Sequence, residues 1–136
     1  EGQNMELMAN SDNVLRGGLT PKHVDVPELL KHVEFEETNP DILAGEQQKD
    51  GLERIYKSPA PDFELSQIRL LKSDVYHSVA KTVQILIVLE GEVVIEEGGS
   101  ALTLARGASV FLAAGSKYQI SSPISALLYK ATTPNL

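Results

Sequence analysis

The chain has 136 residues and a net charge of −7, and its 42% of apolar residues are sufficient for a folded core, which argues against global disorder. The absence of cysteine excludes a disulfide, a thiolate metal site and a cysteine nucleophile, and it fits a reducing compartment, so we expect a cytoplasmic protein. The longest apolar run, Ile85 to Leu89, is far too short to span a membrane.

The charge is unevenly distributed along the chain. Residues 1–53 contain 12 acidic and four basic side chains, a net charge of −8, whereas residues 54–136 contain seven acidic and eight basic ones, a net charge of +1. This change predicts a boundary near residue 53, with the end of one domain in residues 1–53 and a β domain in residues 54–136. Neither part has the basic stripe that would indicate a nucleic-acid partner.

The amino-terminal segment is predicted to form a short strand followed by a loop. Over residues 4–9, alternation places Met5 and Leu7 on one face of a strand and Glu6 on the other. Residues 10–22 are predicted to be a loop, because polar residues and a glycine pair interrupt any periodicity.

One short helix is predicted over residues 25–33. Asp25 is placed to accept hydrogen bonds from free backbone N–H groups, and Glu28 follows three residues later. Both residues are therefore assigned to helix capping. Residues 34–51 are acidic and are interrupted by proline and glycine, so they are predicted to form a connector.

From Arg54 onward the pattern indicates strands. The run Val83 to Leu89 is almost continuously apolar, as expected of a strand buried on both faces. Turns are predicted at Glu90-Gly91-Glu92 and at Glu97-Gly98-Gly99-Ser100. Further strands are predicted at residues 63–70, 93–96, 102–104, 109–112, 118–121 and 126–130. Their regular spacing is typical of an all-β sandwich or jelly roll.

The order of turns in residues 75–130 resembles that of the cupin jelly roll. The two cupin motifs fall on His77, Val79, Gln84 and Gly91, and on Gly107, Ala113, Gly115, Tyr118 and Ser122. Only the glycines and His77 match these motifs. A cupin metal needs several imidazole or carboxylate groups at one point. We therefore predict a cupin-like β domain without metal, in which His77 is a strand residue at or near the surface.

A stronger resemblance is carried by the stretch Glu6-Leu-Met-Ala-Asn-Ser-Asp-Asn-Val-Leu-Arg-Gly-Gly-Leu-Thr-Pro-Lys22 and the following His23-Val-Asp-Val-Pro-Glu-Leu29. It is similar to the signature of type I phosphomannose isomerases, with its specificity concentrated in residues 6–29. A spacer followed by a small C-terminal β domain also fits that family. The resemblance implies the C-terminal portion of a zinc-dependent enzyme of carbohydrate metabolism, which interconverts mannose 6-phosphate and fructose 6-phosphate.

The resemblance also implies roles for individual residues. Aldose–ketose isomerisation moves a proton between C1 and C2 through an enediol, which requires a base, a cation near the oxyanion and a group that holds the phosphate. Arg16 matches the family's catalytic arginine, whose guanidinium can hold the enediolate or a neighbouring hydroxyl. Glu6 and Asp12 are the candidate carboxylates for proton transfer or hydroxyl binding, and Lys22 is the candidate phosphate contact. Which carboxylate acts as the base stays open.

Structural roles are the alternative for the same residues. Asp12 could shape the loop through an Asx turn. Arg16 could pair with Asp12 as a structural bridge, and Lys22 could simply be an exposed surface residue.

The family's zinc ligands are a glutamine, a glutamate and two histidines that precede the signature, and His23, His32 and His77 do not match them. We therefore assign no metal ligand to this chain. Because the sequence begins at Glu1, we expect a piece of a longer zinc enzyme, inactive by itself, whose partners are the upstream catalytic domain and a phosphosugar. The alternative is a non-catalytic jelly-roll module that binds a small molecule or an assembly partner.

Overall fold

The computed structural model describes residues 2, 4–10 and 14–134, which form two compact units. A β unit combines the described residues up to Met8 with those from Leu43 onward, and a helical unit consists of the described residues of Ala9–Ile42. The domain boundary predicted near residue 53 stays a prediction.

The helical unit contains α1 (Val26–His32), which confirms the predicted helix. The Glu28 backbone N–H donates to Asp25 Oδ1 at 3.0 Å, so Asp25 is the cap. The Glu28 carboxylate in turn lies 2.6 Å from Lys31 Nζ and 3.2 Å from His32 Nε2. None of the residues of α1 is buried, so its cap and its side-chain pairs are its main local support. In the described part of the chain, no helix is long and apolar enough to cross a membrane.

Within the described residues, the β unit contains nine strands, and all of their pairings are antiparallel. The strands are β1 (Glu46–Gln47), β2 (Glu53–Tyr56), β3 (Glu64–Leu71), β4 (Val75–Val79), β5 (Gln84–Glu97), β6 (Ser100–Ala105), β7 (Ser109–Leu112), β8 (Lys117–Ser121) and β9 (Ser125–Thr132). Their order is β1-β2-β3-β9-β5-β8-β4, with β6 and β7 also paired to β5. This is the predicted all-β class, although β1, β2 and β4 were not among the predicted strands.

Strand β5 is longer than predicted, and it connects the two halves of the sheet. Its first part pairs with β7 and β9, and its second part pairs with β6 and β8. The predicted turn at Glu90-Gly91-Glu92 is wrong, because a register shift between Val88 and Glu90 bends the strand without reversing it. Gly91 has a φ of 76°, and a Cβ there would overlap the Ser125 carbonyl oxygen. Glycine at this position therefore lets the start of β9 pack directly against the backbone of β5.

The predicted turn after β5 is confirmed. Gly98 and Gly99 lie between the paired residues Glu97 and Ser100, and their φ angles are 57° and 84°. Positive φ at both central positions is the requirement of a tight two-residue hairpin, which explains the two adjacent glycines.

The run predicted to be buried on both faces is buried on only one. Gln84, Leu86 and Val88 point inward, whereas Ile85 is 52% exposed. Ile85 lies opposite Phe111 of β7, which is also exposed. The apolar run thus reflects an apolar pair on the outer face, as an antiparallel sheet with one covered face permits.

Residues 4–9 form no strand, so that prediction is also wrong. Met5 and Leu7 are nevertheless half-buried, and they line a cavity together with Leu43, Tyr56, Phe63 and Leu65. The alternation in this segment therefore reflects an extended chain docked by its side chains on the β unit, without the backbone pairing of a sheet.

Candidate functional site

The predicted site residues are distributed over both units. Glu6 belongs to the β unit, whereas Arg16 and Lys22 belong to one loop of the helical unit. Asp12 lies outside the described residues, so its role stays a prediction. The structure therefore places Arg16 and Lys22 on a common segment, and Glu6 is described by its own surroundings.

Glu6 borders a cavity of about 360 Å³ in the β unit. Its neighbours Met5 and Leu7 are half-buried, so the alternation of the extended segment leaves the Glu6 carboxylate exposed. Among the described residues, no hydrogen bond or ion pair engages this carboxylate. An exposed, unengaged carboxylate next to a cavity can accept a hydrogen bond from a ligand hydroxyl or take up a proton.

Arg16 is half-buried in the loop before α1. Its Nη1 donates to the Val14 carbonyl oxygen at 3.2 Å, which leaves most of the guanidinium donors free of backbone contacts. A Cβ on Gly17 would lie 3.1 Å from Leu29 Cδ2, so a glycine there lets the loop lie against α1. Gly18 follows with a φ of 152°, a conformation that side chains disfavour. The double-glycine bend thus directly follows the arginine and fixes its place on the helical unit.

Lys22 is exposed at the end of the same loop. Its backbone N–H donates to Thr20 Oγ1 at 3.2 Å, which closes a local turn. Within the described residues, its ammonium forms no ion pair. Arg16 and Lys22 therefore provide two cationic groups on one short loop, a chemistry suited to a phosphorylated, oxygen-rich ligand.

A zinc site does not fit the described part of the chain. Within it, no three histidine, cysteine, aspartate or glutamate side chains gather closely enough to hold a metal ion. His32 is bonded to Glu28, and His77 is exposed on β4, as predicted for a surface strand residue. Zinc requires at least three converging donors of this kind.

The β unit also contains a buried polar cluster that was not predicted from the sequence; it consists of Glu53, Ser66, Tyr76 and Lys130. Ser66 Oγ and Tyr76 OH donate to the Glu53 carboxylate at 2.6 and 2.8 Å, and Lys130 Nζ lies 2.6 Å from Glu53 Oε1. Burial, together with the negative charge of Glu53, raises the pKa of Tyr76. The phenol therefore keeps its proton and remains a hydrogen-bond donor.

A second buried polar pair lies next to this cluster. Tyr118 OH donates to Gln84 Oε1 at 2.8 Å, and the Tyr118 ring centroid lies 6.3 Å from that of Tyr76. Burial, and then the neighbouring Tyr76, raise the pKa of Tyr118 to about 12. The sequence signal that could have indicated this cluster is the alternation of residues along β9. Lys130 lies two residues after Leu128 and therefore shares the inward face of the strand, where a charged side chain is unusual.

The fold defines the chain as a cupin-like all-β domain joined to an arginine-bearing loop. No protein-family model matches the chain. It is 40% identical over 114 residues to the mannose-6-phosphate isomerase of Escherichia coli (strain K12), which covers 84% of this chain and 29% of that relative. It is 31% identical over 140 residues to the mannose-6-phosphate isomerase of Mus musculus, which covers 96% of this chain and 33% of the relative.

A solved structure gives the same result. Mannose 6-phosphate isomerase from Salmonella typhimurium, bound to its substrate fructose 6-phosphate and to zinc, is 35% identical to this chain with a TM-score of 0.78, over 94% of this chain and 32% of that one. The predicted resemblance to the C-terminal portion of phosphomannose isomerases is thereby confirmed. The chain spans about a third of the length of the relatives it matches.

Proposed function

We propose that this chain supplies the arginine loop and the C-terminal β domain of a zinc-dependent mannose-6-phosphate isomerase, which interconverts mannose 6-phosphate and fructose 6-phosphate. The observation that carries this proposal is the 40% identity to an enzyme of that name over 84% of the chain. The similarity to a structure bound to its fructose phosphate substrate and to zinc supports both the substrate class and the metal. A cytoplasmic location and a place in carbohydrate metabolism are part of the same proposal.

In this proposal Arg16 is the catalytic cation of the chain. A guanidinium is permanently charged. Only Nη1 of Arg16 donates to the Val14 carbonyl oxygen, so most of the guanidinium donors remain available to a ligand. It can therefore hold the oxygen that becomes negative as the proton moves between C1 and C2. Zinc, when bound by protein outside this chain, would supply Lewis-acid polarisation of the same substrate oxygens.

Glu6, Asp12 and Lys22 complete the proposed set. Glu6 and Asp12 are the candidates for the base, since a carboxylate near the substrate can carry the proton between the two carbons. Lys22 is the candidate for the phosphate, because its exposed ammonium forms no ion pair with the described residues. We also propose that the 136-residue chain alone neither binds zinc tightly nor turns over substrate, because under this proposal the metal donors would lie in an upstream catalytic domain.

The test uses the longer protein that contains this chain together with its upstream catalytic domain. Arg16→Ala should lower kcat for mannose 6-phosphate by about 10²–10³-fold, the usual loss for removal of one donor to a developing oxyanion. Zinc content, measured by elemental analysis, should stay unchanged. Arg106→Ala, which removes an exposed arginine from the turn between β6 and β7, is the matched control and should retain full turnover.

Further variants separate the remaining roles. Lys22→Gln should raise KM with little change in kcat if the lysine holds the phosphate, and whichever of Glu6→Gln and Asp12→Asn abolishes the acidic limb of the pH profile identifies the base. Turnover that is unchanged in Arg16→Ala would instead support the non-catalytic binding module. Stoichiometric zinc together with isomerase activity in the isolated chain would contradict the proposal that the zinc donors lie outside this chain.

A further inference from the structure

A cavity of about 230 Å³ opens beside the buried polar cluster of the β unit. Three buried polar side chains, those of Glu53, Gln84 and Lys130, form part of its wall. Exposed Lys81 and half-buried Thr82 stand at its border. The volume exceeds that of a few water molecules, so a small ligand can enter it.

The Gln84 amide is the most informative group in this wall. Its Oε1 already accepts the Tyr118 phenol proton, so the amide nitrogen is directed elsewhere. Among the described residues, this nitrogen has no hydrogen-bond partner, although Gln84 is only 6% exposed. No side-chain nitrogen or oxygen atom in the described residues lacks both a partner and solvent access. The Gln84 amide nitrogen therefore keeps some solvent access, and because Gln84 lines the cavity, we assign its two N–H donors to the cavity wall.

Lys130 adds a further donor on the same wall. Two of the three protons of its ammonium are used, one toward Glu53 Oε1 at 2.6 Å and one toward Tyr76 OH at 3.1 Å. The third proton is free of the cluster. The Thr82 and Thr132 hydroxyls are already hydrogen-bonded to each other and to backbone carbonyl oxygens, so they offer no spare donor. The Ser78 and Thr133 hydroxyls also line the cavity and can add donors to those of the two nitrogen atoms.

The charge of the wall sets the class of ligand and its affinity. Glu53 and Lys130 neutralise each other, while Lys81 brings a positive and Glu64 a negative charge to the border. Buried donors without acceptors favour a ligand that carries several negatively charged oxygen atoms. Because the charges of the wall balance, we expect affinity to be only in the range of about 1 mM.

We propose that this cavity is a binding site for a small oxyanion, with the Gln84 amide and the Lys130 ammonium as its buried donors and Lys81 at its entrance. The anion is a phosphate group or a carboxylate group, which share the required acceptor chemistry. The site lies in the β unit and is independent of the proposed isomerase chemistry, so the failure of either proposal leaves the other standing.

The test is an NMR titration of the 136-residue chain with sodium phosphate and, separately, with sodium acetate, at an ionic strength held constant with sodium chloride. We expect a saturable shift of the Gln84 side-chain NH₂ resonances with at least one of the two anions. Gln84→Glu keeps the acceptor for Tyr118 but replaces the two donors with a negative oxygen, and it should raise Kd about tenfold or more. Saturation with phosphate alone, or with acetate alone, assigns the class of ligand.

Two matched controls accompany this variant. Gln67→Glu makes the same change of charge beside Tyr129 OH, to which Gln67 donates at 3.0 Å and which is not part of the cavity wall; it should leave Kd within about twofold. Lys81→Gln, an exposed substitution that leaves the core intact, should also raise Kd, whereas Lys117→Gln should not.

The absence of a saturable shift with both anions would overturn the proposal. Equal Kd values for Gln84→Glu and Gln67→Glu would overturn it as well, as would shifts confined to the helical unit. If Gln84→Glu does not fold, Lys81→Gln and Lys117→Gln are compared instead. Equal Kd values for these two variants would then overturn the proposal.

Discussion

Replacement of Lys130 by methionine tests how the buried polar cluster contributes to the stability of the β unit. Lys130 and Glu53 side chains are only 8% and 10% exposed, with 2.6 Å between Nζ and Oε1. Methionine fills a similar volume but leaves the Glu53 carboxylate buried without its cation. Removal of one partner of a buried ion pair costs about 3–5 kcal/mol. Because Ser66 and Tyr76 still donate to the carboxylate, we expect the lower end, about 3 kcal/mol.

Urea denaturation followed by tyrosine fluorescence measures this loss in the β unit alone. The chain has four tyrosines and no tryptophan, and all the tyrosines lie in that unit, at positions 56, 76, 118 and 129. Lys57→Met is the matched control: Lys57 Nζ lies 2.7 Å from Glu46 Oε2, but both side chains are more than half exposed. Water screens the attraction in an exposed pair of this kind, so the control should leave the free energy of unfolding nearly unchanged.

A double variant separates the loss of attraction from the penalty of an unpaired charge. Glu53→Gln combined with Lys130→Met removes both charges while the glutamine oxygen can still accept from Ser66 and Tyr76. We expect it to unfold at higher urea concentrations than Lys130→Met alone, because no charge is then left unpaired in the interior. The reasoning fails if Lys130→Met is no more destabilising than Lys57→Met. It also fails if the loss of unfolding free energy in the double variant equals the sum of the losses in Glu53→Gln and Lys130→Met measured separately.

Two further predictions concern the bend of β5 and the buried phenols. Gly91→Ala should lower the free energy of unfolding by about 3 kcal/mol or more, because its Cβ would overlap the Ser125 backbone oxygen at positive φ, whereas Gly107→Ala, at a similar φ but in open space, should cost about 1–2 kcal/mol in the same urea assay. Because burial raises the pKa of Tyr118 from 10.0 to about 12, its contribution to stability is complete below pH 10 and is lost as the pH rises toward 12. Unfolding free energies measured across this range should fall as the pH rises, and the fall should be shallower in Tyr118→Phe. An unchanged slope would show that burial does not raise the pKa of the Tyr118 phenol.

The elements that could be predicted from the sequence are those with local causes. Asp25 and Glu28 determine the start of α1 within a few residues of chain. Gly98 and Gly99 determine a hairpin, because only that turn needs positive φ at two successive positions. In these cases the interactions that form the element lie within the few residues of the element itself.

The elements that could not be predicted depend on distant parts of the chain. Gly91 has the local appearance of a turn, but its conformation is required by the approach of Ser125 from another strand. The candidate site has the same limitation: the resemblance assigns proposed roles to Arg16 and Glu6, but under the proposed function the other groups around the substrate would come from protein outside this chain. Likewise, no local pattern brings Glu53 to Lys130, since their contact depends on the pairing of β2 with β3 and of β3 with β9.

Stability alone does not account for the buried polar cluster. Well-packed apolar side chains in place of a buried ion pair are often as stable or more stable. The same double variant, Glu53→Gln with Lys130→Met, can therefore distinguish two roles for the cluster. If the cluster serves to present a donor to the neighbouring cavity, the double variant should keep most of its unfolding free energy. Its Kd for the oxyanion should rise, because the third ammonium proton of Lys130 is no longer available to the ligand. If it exists only to fix the register of β2, β3 and β9, anion binding by Gln84 survives and the change appears instead as loss of amide protection along those strands.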